Sequence, residues 1–300
     1  MNVAIIGGGS IGLLFTYYFT KKVENTVLYV RREDQAELLN RSGLKLYREG
    51  TLREVKVKTK VLQEEEKIKA DLVVIAVKQY DLAELAETVK TRISEQAQLL
   101  FVQNGMGHVS IMKTLPQDHI YVGVVDHGAL KIAEHKVEHS GEGTVKLAAF
   151  RGDSDAAAPI FDQLAESRFP IEVQEDWYQL LAEKLLVNAV INPLTALYHV
   201  ENGRLLTNDY FHQNMKNLFD EAFHVLCLED KEKSWNNVKD VCNQTARNRS
   251  SMLRDIETGR QTEIDAISGY LLERADRKAC SVPLTKFVYN GIIGLTVNPG

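Results

Sequence analysis

The stretch Asn2 to Gly12, NVAIIGGGSIG, decides the fold. It reads as a short β-strand running into a glycine turn, and Ile11 to Thr20 then carries apolar residues consistent with a helix. Gly7, Gly9 and Gly12 form G-x-G-x-x-G. The first glycine permits the tight turn, the second lets a pyrophosphate approach the backbone, and the third lets helix and strand pack closely. The helix N-terminus then faces the phosphates, so Ser10 and Ile11 join the three glycines as cofactor-binding candidates. A glycine-rich turn is the plain alternative. Its place after a strand and before a helix favours dinucleotide binding.

Working outward, Thr26 to Val30 is a second strand, and Arg31 and Arg32 stand where an NAD site would carry an acidic residue for the ribose hydroxyls. An arginine there suits a 2′-phosphate, so Arg31 points to NADP; two solvated arginines are the alternative. Gly43 to Leu62 alternates as a hairpin around Glu49-Gly50. Asp71 to Val77 is a continuous apolar run of the doubly covered kind, and it ends in Lys78, at the crevice where such sheets bind ligands. Helical spacing returns from Leu82 to Ile93, and the strand Gln98 to Val102 ends in Gln103-Asn104-Gly105-Met106-Gly107. Asn104 is placed to hydrogen-bond a nicotinamide or a substrate, though turn formation explains it equally well.

Tyr121 to Val125 is another strand, and Lys136 to His139 with Val145 to Ala149 flank Gly141-Glu142-Gly143 as a hairpin. His135 and His139 lie four apart on strands, a spacing that makes no metal pair, and no metal is expected. Asp155 to Ser167 reads as helix and Ile171 to Val173 as a last strand; beyond Glu175 the pattern to Cys280 is helix-periodic. The expected class is therefore α/β, a Rossmann-type dinucleotide-binding domain over 1–174 followed by an all-α domain over 175–300.

In that helical half, EKLLVNAVINPLTAL from Glu183 places Lys184, Asn188 and Asn192 at i, i+4 and i+8, on one face of a helix otherwise apolar. Buried polar groups need partners or a wet cavity. Pro193 should kink or break the helix beside Asn192. A packing network of two asparagines with a snorkelling lysine is the alternative. Asn202-Gly203 follows as a turn, Ser250 or Ser251 can cap a short helix, and Thr262 to Asp265 matches a capping box that sets Glu263 at a helix start.

Composition narrows the class. The chain has 300 residues, 44% hydrophobic and 26% charged, with net charge -5, which suits two globular domains and argues against nucleic acid or an anionic membrane as partner. Apolar runs fall short of the ~18 residues of a spanning helix, and a strand from Asn2 leaves no room for a signal peptide, so a cytoplasmic chain is expected. Cys227, Cys242 and Cys280 are odd in number and without a CxxC pair, which suggests neither a disulfide framework nor a zinc site.

The chain resembles the ketopantoate reductase family over essentially its whole length. The resemblance rests on GGGSIG at Gly7, Arg31, VKQYDL from Val77, QNGMG from Gln103, KLLVNAVINPLTAL from Lys184, NG at Asn202, NRSSML from Asn248 and TEID from Thr262. It implies an NADPH-dependent reduction of a 2-keto acid in pantothenate and coenzyme A biosynthesis. Lys184 would donate the proton and Glu263 would orient it; Asn188, Asn192, Asn202, Asn248 and Ser251 would bind the keto acid, with Asn104 and Lys78 at the nicotinamide side. Gly7, Gly9, Gly12 and Arg31 would hold NADPH. The family often has threonine before the histidine at His127, where this chain has Asp126, so His127 is left outside the site. Catalysis would fall in the cleft between the domains of a monomer or homodimer. The rivals are another NADP-dependent 2-keto acid or hydroxyacid dehydrogenase, and a non-catalytic NADP sensor with no use for Lys184 and Glu263 together.

Overall fold

The apolar run that opens the chain becomes an interior strand of a parallel sheet. In this computed structural model, which describes residues 1–153 and 160–296, the strands are β1 (Val3–Ile6), β2 (Thr26–Val30), β3 (Leu44–Arg48), β4 (Thr51–Val55), β5 (Lys58–Val61), β6 (Leu72–Ile75), β7 (Gln98–Phe101), β8 (Ile120–Val125), β9 (Gly128–Ala133), β10 (Lys136–Gly141), β11 (Val145–Arg151) and β12 (Ile171–Gln174). One sheet runs β12-β11-β8-β7-β6-β1-β2-β5 and a second runs β4-β3-β10-β9. From β5 to β8 every pairing in the large sheet is parallel; β11 runs antiparallel to β8. All side chains of β1 and β6 are buried, as strands covered on both faces must be.

The helix α1 (Ser10–Thr20) is buried at every residue from Gly12 to Phe19. It packs on β1 and β2 with one side and on β3, β9 and β10 with the other, so the small sheet covers the face that the large sheet leaves open. Here the structure departs from the sequence reading. The Glu49-Gly50 hairpin forms between β3 and β4, both turn residues having positive φ, but β5 leaves it to pair in parallel with β2 at the sheet edge. The hairpin expected across Gly141-Glu142-Gly143 does not form. β10 joins β3 and β9 in the small sheet while β11 pairs with β8 and β12 in the large one. The chain changes sheets at Asp126-His127 and at Glu142-Gly143, as it also does between β2 and β3 and between β4 and β5, and alternation along a strand carries no record of which sheet receives it. Of the helix read over Asp155 to Ser167, 155–159 lie outside the described residues, 160–164 are helical, and Glu166 already forms an antiparallel bridge with Phe169.

By internal contacts the chain divides into Met1–Gln103 with His108–Leu180, and Asn104–Gly107 with Leu181–Gly300. The turn after β7 thus groups with the helical unit. That unit is built around α2 (Trp177–Tyr198), the helix whose first residues group with the sheet unit. By length and composition α2 could cross a membrane, but 72% of its apolar window is buried within the protein. Pro193 sits inside it without ending it. Proline removes the donor that would serve the Ala189 carbonyl, and the turn is held instead by the buried Thr195 hydroxyl, 2.8 Å from the Ile191 carbonyl and 3.0 Å from that of Asn192. Further along, the Glu221 carboxylate on α3 (Asp209–Leu226) accepts the backbone N–H groups of Leu284 at 2.9 Å and Thr285 at 2.7 Å, together with the Thr285 hydroxyl. Glu221 therefore caps α4 (Pro283–Thr296) from a neighbouring helix.

Candidate active site

The glycine turn between β1 and α1 is shaped by three different constraints. Gly7 has φ +119°, and a Cβ there would stand 2.8 Å from the Ala76 carbonyl carbon and oxygen. Gly12 could bear no side chain at all, since a Cβ would lie 1.8 Å from the Gly7 carbonyl oxygen. Gly9 is exposed, its φ is −81°, and a Cβ there would meet no protein atom within 4 Å. Folding thus explains Gly7 and Gly12 and leaves Gly9 for whatever approaches the turn from outside. Gly9 gives α1 no side-chain cap, and the N–H groups at the helix start, those of half-buried Ser10 and Ile11 among them, are the donors that would receive an anion. This donor set fits a pyrophosphate.

At the end of β2 the two arginines separate by their partners. Arg32 pairs with Glu134 at 2.5 Å and with Asp34 at 3.3 Å, and the Glu134 hydrogen bond pushes its pKa up. Arg31 has a side chain 72% exposed and, among the described residues, a long 3.7 Å pair with Asp81. Arg32 is thus the more firmly tied into the fold, and Arg31 the more exposed. Lys78 follows β6, exposed, with its carbonyl accepting the Asp81 N–H.

In the helical unit, Lys184, Asn188 and Asn192 are half-buried along α2, while Leu185, Leu186, Val187, Ala189, Val190 and Ile191 between them are buried. The polar stripe therefore exists as a solvent-reaching line on a core helix. Glu263 is 7% exposed, and its Oε2 accepts from Asn104 Nδ2 at 3.0 Å. Gly105, at φ +81°, brings that turn against the helix after Glu263, since a Cβ would lie 2.2 Å from the Ala266 carbonyl oxygen. That helix opens differently from the capping box read in the sequence. Ile264 precedes it in helical conformation with no side-chain cap, and Asp265–Gly269 winds as a π-turn, a feature often found at functional sites.

The Asn248 to Ser251 stretch divides its labour. Ser250 is buried, caps the helix Ser251–Glu257 by accepting the Leu253 N–H at 3.1 Å, and lies 2.8 Å from the Thr195 hydroxyl. Ser251 and Asn248 are exposed. Asn202 is 7% exposed; its amide donates to Thr245 Oγ1 at 2.9 Å and its backbone N–H to the Asn248 carbonyl at 3.0 Å. Those bonds make Asn202 the anchor of the Asn248 loop. No group of three metal-ligating side chains occurs among the described residues.

One residue given no role in the sequence reading is Gln103, whose buried amide donates to the carbonyls of Ile75 and Val77. Another group is a buried chain of Tyr18, His139 and His127, with His139 Nδ1 2.8 Å from the tyrosine hydroxyl and its Nε2 3.0 Å from His127 Nδ1. The Gly143 N–H donates to the same His127 Nδ1 at 3.1 Å, which makes that nitrogen an acceptor. His139 then donates from Nε2 and accepts the tyrosine proton at Nδ1. Spacing in sequence could not have shown this pair, because the sheet changes at Asp126-His127 and Glu142-Gly143 create it.

Comparison with known proteins bears on the whole chain. Residues 3–152 match the family model described as ketopantoate reductase PanE/ApbA, and residues 176–295 match the corresponding C-terminal model. The 2-dehydropantoate 2-reductase of Bacillus subtilis (strain 168) is 42% identical over 301 residues, covering 99% of this chain and 98% of that protein. The crystal structure of a probable 2-dehydropantoate 2-reductase from Bacillus subtilis superposes with a TM-score of 0.90 at 41% identity, covering 98% of this chain and all of that one. A D-mandelate dehydrogenase structure reaches a TM-score of 0.91 at 22% identity, over 99% of this chain and 98% of that one, and shares the fold.

Proposed function

The chain belongs to the ketopantoate reductase family, and from that premise we propose that it reduces 2-dehydropantoate to pantoate with NADPH, a step of pantothenate and coenzyme A biosynthesis. It is an oxidoreductase with an α/β dinucleotide-binding unit and a helical unit. The observation that carries the assignment of roles is the half-buried stripe of Lys184, Asn188 and Asn192 on a helix otherwise apolar.

Gly7 to Gly12 would hold the pyrophosphate of NADPH and Arg31 its 2′-phosphate, and the bound cofactor would supply the hydride. The keto oxygen gains negative charge as the carbonyl is reduced, and Lys184 stabilises it and gives it a proton. Glu263 orients Lys184 and accepts from substrate, while the Asn104 amide at 3.0 Å holds the carboxylate in one rotamer. Asn188, Asn192, Asn248 and Ser251 donate to the carboxylate and hydroxyl of the keto acid without adding a second fixed positive charge. Asn202 acts behind Asn248 by fixing its loop. Consumption of NADPH suits the cytoplasm.

The test is NADPH oxidation with a small panel of 2-keto acids. Ketopantoate should be reduced much faster than 2-ketoisovalerate, which has the branch and lacks the hydroxyl, because a site built to pair a hydroxyl discriminates strongly against its absence. Failure of ketopantoate above background, with ready turnover of a different keto acid or of a polyol phosphate, would reassign the substrate and leave the fold untouched.

A further inference from the structure

Gln103 stands at the end of β7, 6% exposed. Its Nε2 donates to the Ile75 carbonyl at 2.7 Å and to the Val77 carbonyl at 3.0 Å. A primary amide nitrogen carries two protons, and both are spent on carbonyls two residues apart, one at the end of the neighbouring strand and one just beyond it. The Ile75 carbonyl has a second donor, the Val102 N–H at 3.2 Å in the ladder. Val77 lies past the end of β6, beyond the ladder, and Gln103 reaches it there.

What Gln103 holds is the wall against which the glycine turn is folded. A Cβ at Gly7 would stand 2.8 Å from the Ala76 carbonyl and 2.9 Å from the Val77 nitrogen, and one at Gly12 would lie 3.5 Å from Ala76 Cβ. The wall and the turn are therefore in van der Waals contact through backbone atoms, and a displacement of Ala76-Val77 must move Gly7 or open a gap beside it. Ala76 is fixed on its other side by donating to the Ile6 carbonyl at 2.8 Å. The amide is chemically specific. Glutamate would offer no proton to two carbonyls, and a lysine or arginine would bring a charge into a site almost closed to water.

We propose that Gln103 is a positioning residue for the cofactor cradle: its two hydrogen bonds set the Ala76-Val77 wall, and through it the glycine turn that receives the pyrophosphate. This rests on the reading of the turn as an NADP site. Because the pyrophosphate is common to both nicotinamide cofactors, the residue governs affinity for the two alike and leaves the choice between them to Arg31.

The experiment is calorimetric titration of the full chain, as parent, Gln103→Leu and Gln103→Glu, with NADP+ and with NAD+, alongside circular dichroism to establish folding. Gln103→Leu should weaken both cofactors about ten-fold, with their ratio unchanged, and raise KM for NADPH while kcat at saturation stays at the parental value. Gln103→Glu keeps the size and loses both donors at pH 8. A carboxyl facing two carbonyls takes up a proton on acidification, so this variant should recover part of its affinity by pH 6 relative to the parent titrated over the same range. Folded variants that bind both cofactors as the parent does, or that shift the ratio between them, would overturn the proposal. A parent protein that binds no NADP+ would instead overturn the underlying reading of the glycine turn.

Discussion

In the site proposed above, the working surface at Gly7 to Gly12 would be backbone, and the residues matter for the side chains they lack; on α2 it would be three side chains, and the helix matters for the line it draws them along. The difference lies in what each site can tolerate. A Cβ at Gly12 would overlap the Gly7 carbonyl at 1.8 Å, so an added methyl group attacks the fold and the cofactor site together. On α2 the stripe reaches solvent while its neighbours are buried, so side chains can be removed from it with little loss of packing. On the proposed reading, the sheet unit would join binding to stability, and the helical unit would keep chemistry separable from both.

The largest expected effect exploits that separability. Lys184→Ala should lower turnover by roughly a hundred- to ten-thousand-fold, the range for a lost acid catalyst, while the melting temperature and NADPH affinity stay close to those of the parent. Steady-state kinetics with a parallel NADPH titration checks it. Activity within a few-fold of the parent would mean that the stripe is a packing network, and the contrast with the glycine turn would collapse.

A second effect separates the units by pH. The sheet unit buries His108, His127 and His139, and no histidine of the helical unit is buried among the described residues. Burial holds His108 down to about 4, and burial followed by the neighbouring His139 holds His127 down to about 4. Burial, aided by Arg48, lowers His139 as well. These folded-state values lie below the unfolded value near 6.5, so the unfolded chain takes up protons first as pH falls. Stability is therefore complete above about pH 6.5 and is lost toward pH 4, by about 3 kcal/mol for a fully buried ring. Urea unfolding at pH 7.5 and pH 5 should show the loss. His108→Leu should flatten it, since neither ring nitrogen has a hydrogen-bond partner among the described residues. An unchanged slope in that variant would remove His108 from the account.

What was legible in the sequence follows the same division. The glycine turn is a local pattern whose spacing carries its geometry, and the parallel strands β1, β6 and β7 announced themselves as unbroken apolar runs. The polar stripe on α2 was legible because helical periodicity is also local. Failures came where distant segments decide. The sheet exchange that parts β10 from β11 and joins His127 to His139 depends on pairings across the whole unit. That Pro193 would not end α2 was also beyond a local reading: the Thr195 hydroxyl bonds within that turn and Ser250, far along the chain, lies against it. Ser250 and Ser251 were equivalent in sequence, and only the capping bond to Leu253 distinguishes the structural serine from the exposed one.

The smallest effect concerns Arg31, the side chain proposed to receive the 2′-phosphate. Arg32 is committed to Glu134 and Asp34, while Arg31 keeps an exposed guanidinium at the end of β2. If Arg31 receives the 2′-phosphate, Arg31→Ala should erode the preference for NADPH over NADH by the ~1.5 to 3 kcal/mol of a charge-assisted hydrogen bond, roughly ten- to a hundred-fold. The loss should fall on NADPH alone, because NADH offers Arg31 no phosphate to hold. Arg32→Ala should instead lower stability through the lost Glu134 pair and leave the ratio of the two cofactors where it was. Measuring kcat/KM for both cofactors in both variants separates the outcomes. Equal use of NADPH and NADH by the parent protein would break the comparison at its root, since recognition in the sheet unit would then rest on backbone alone.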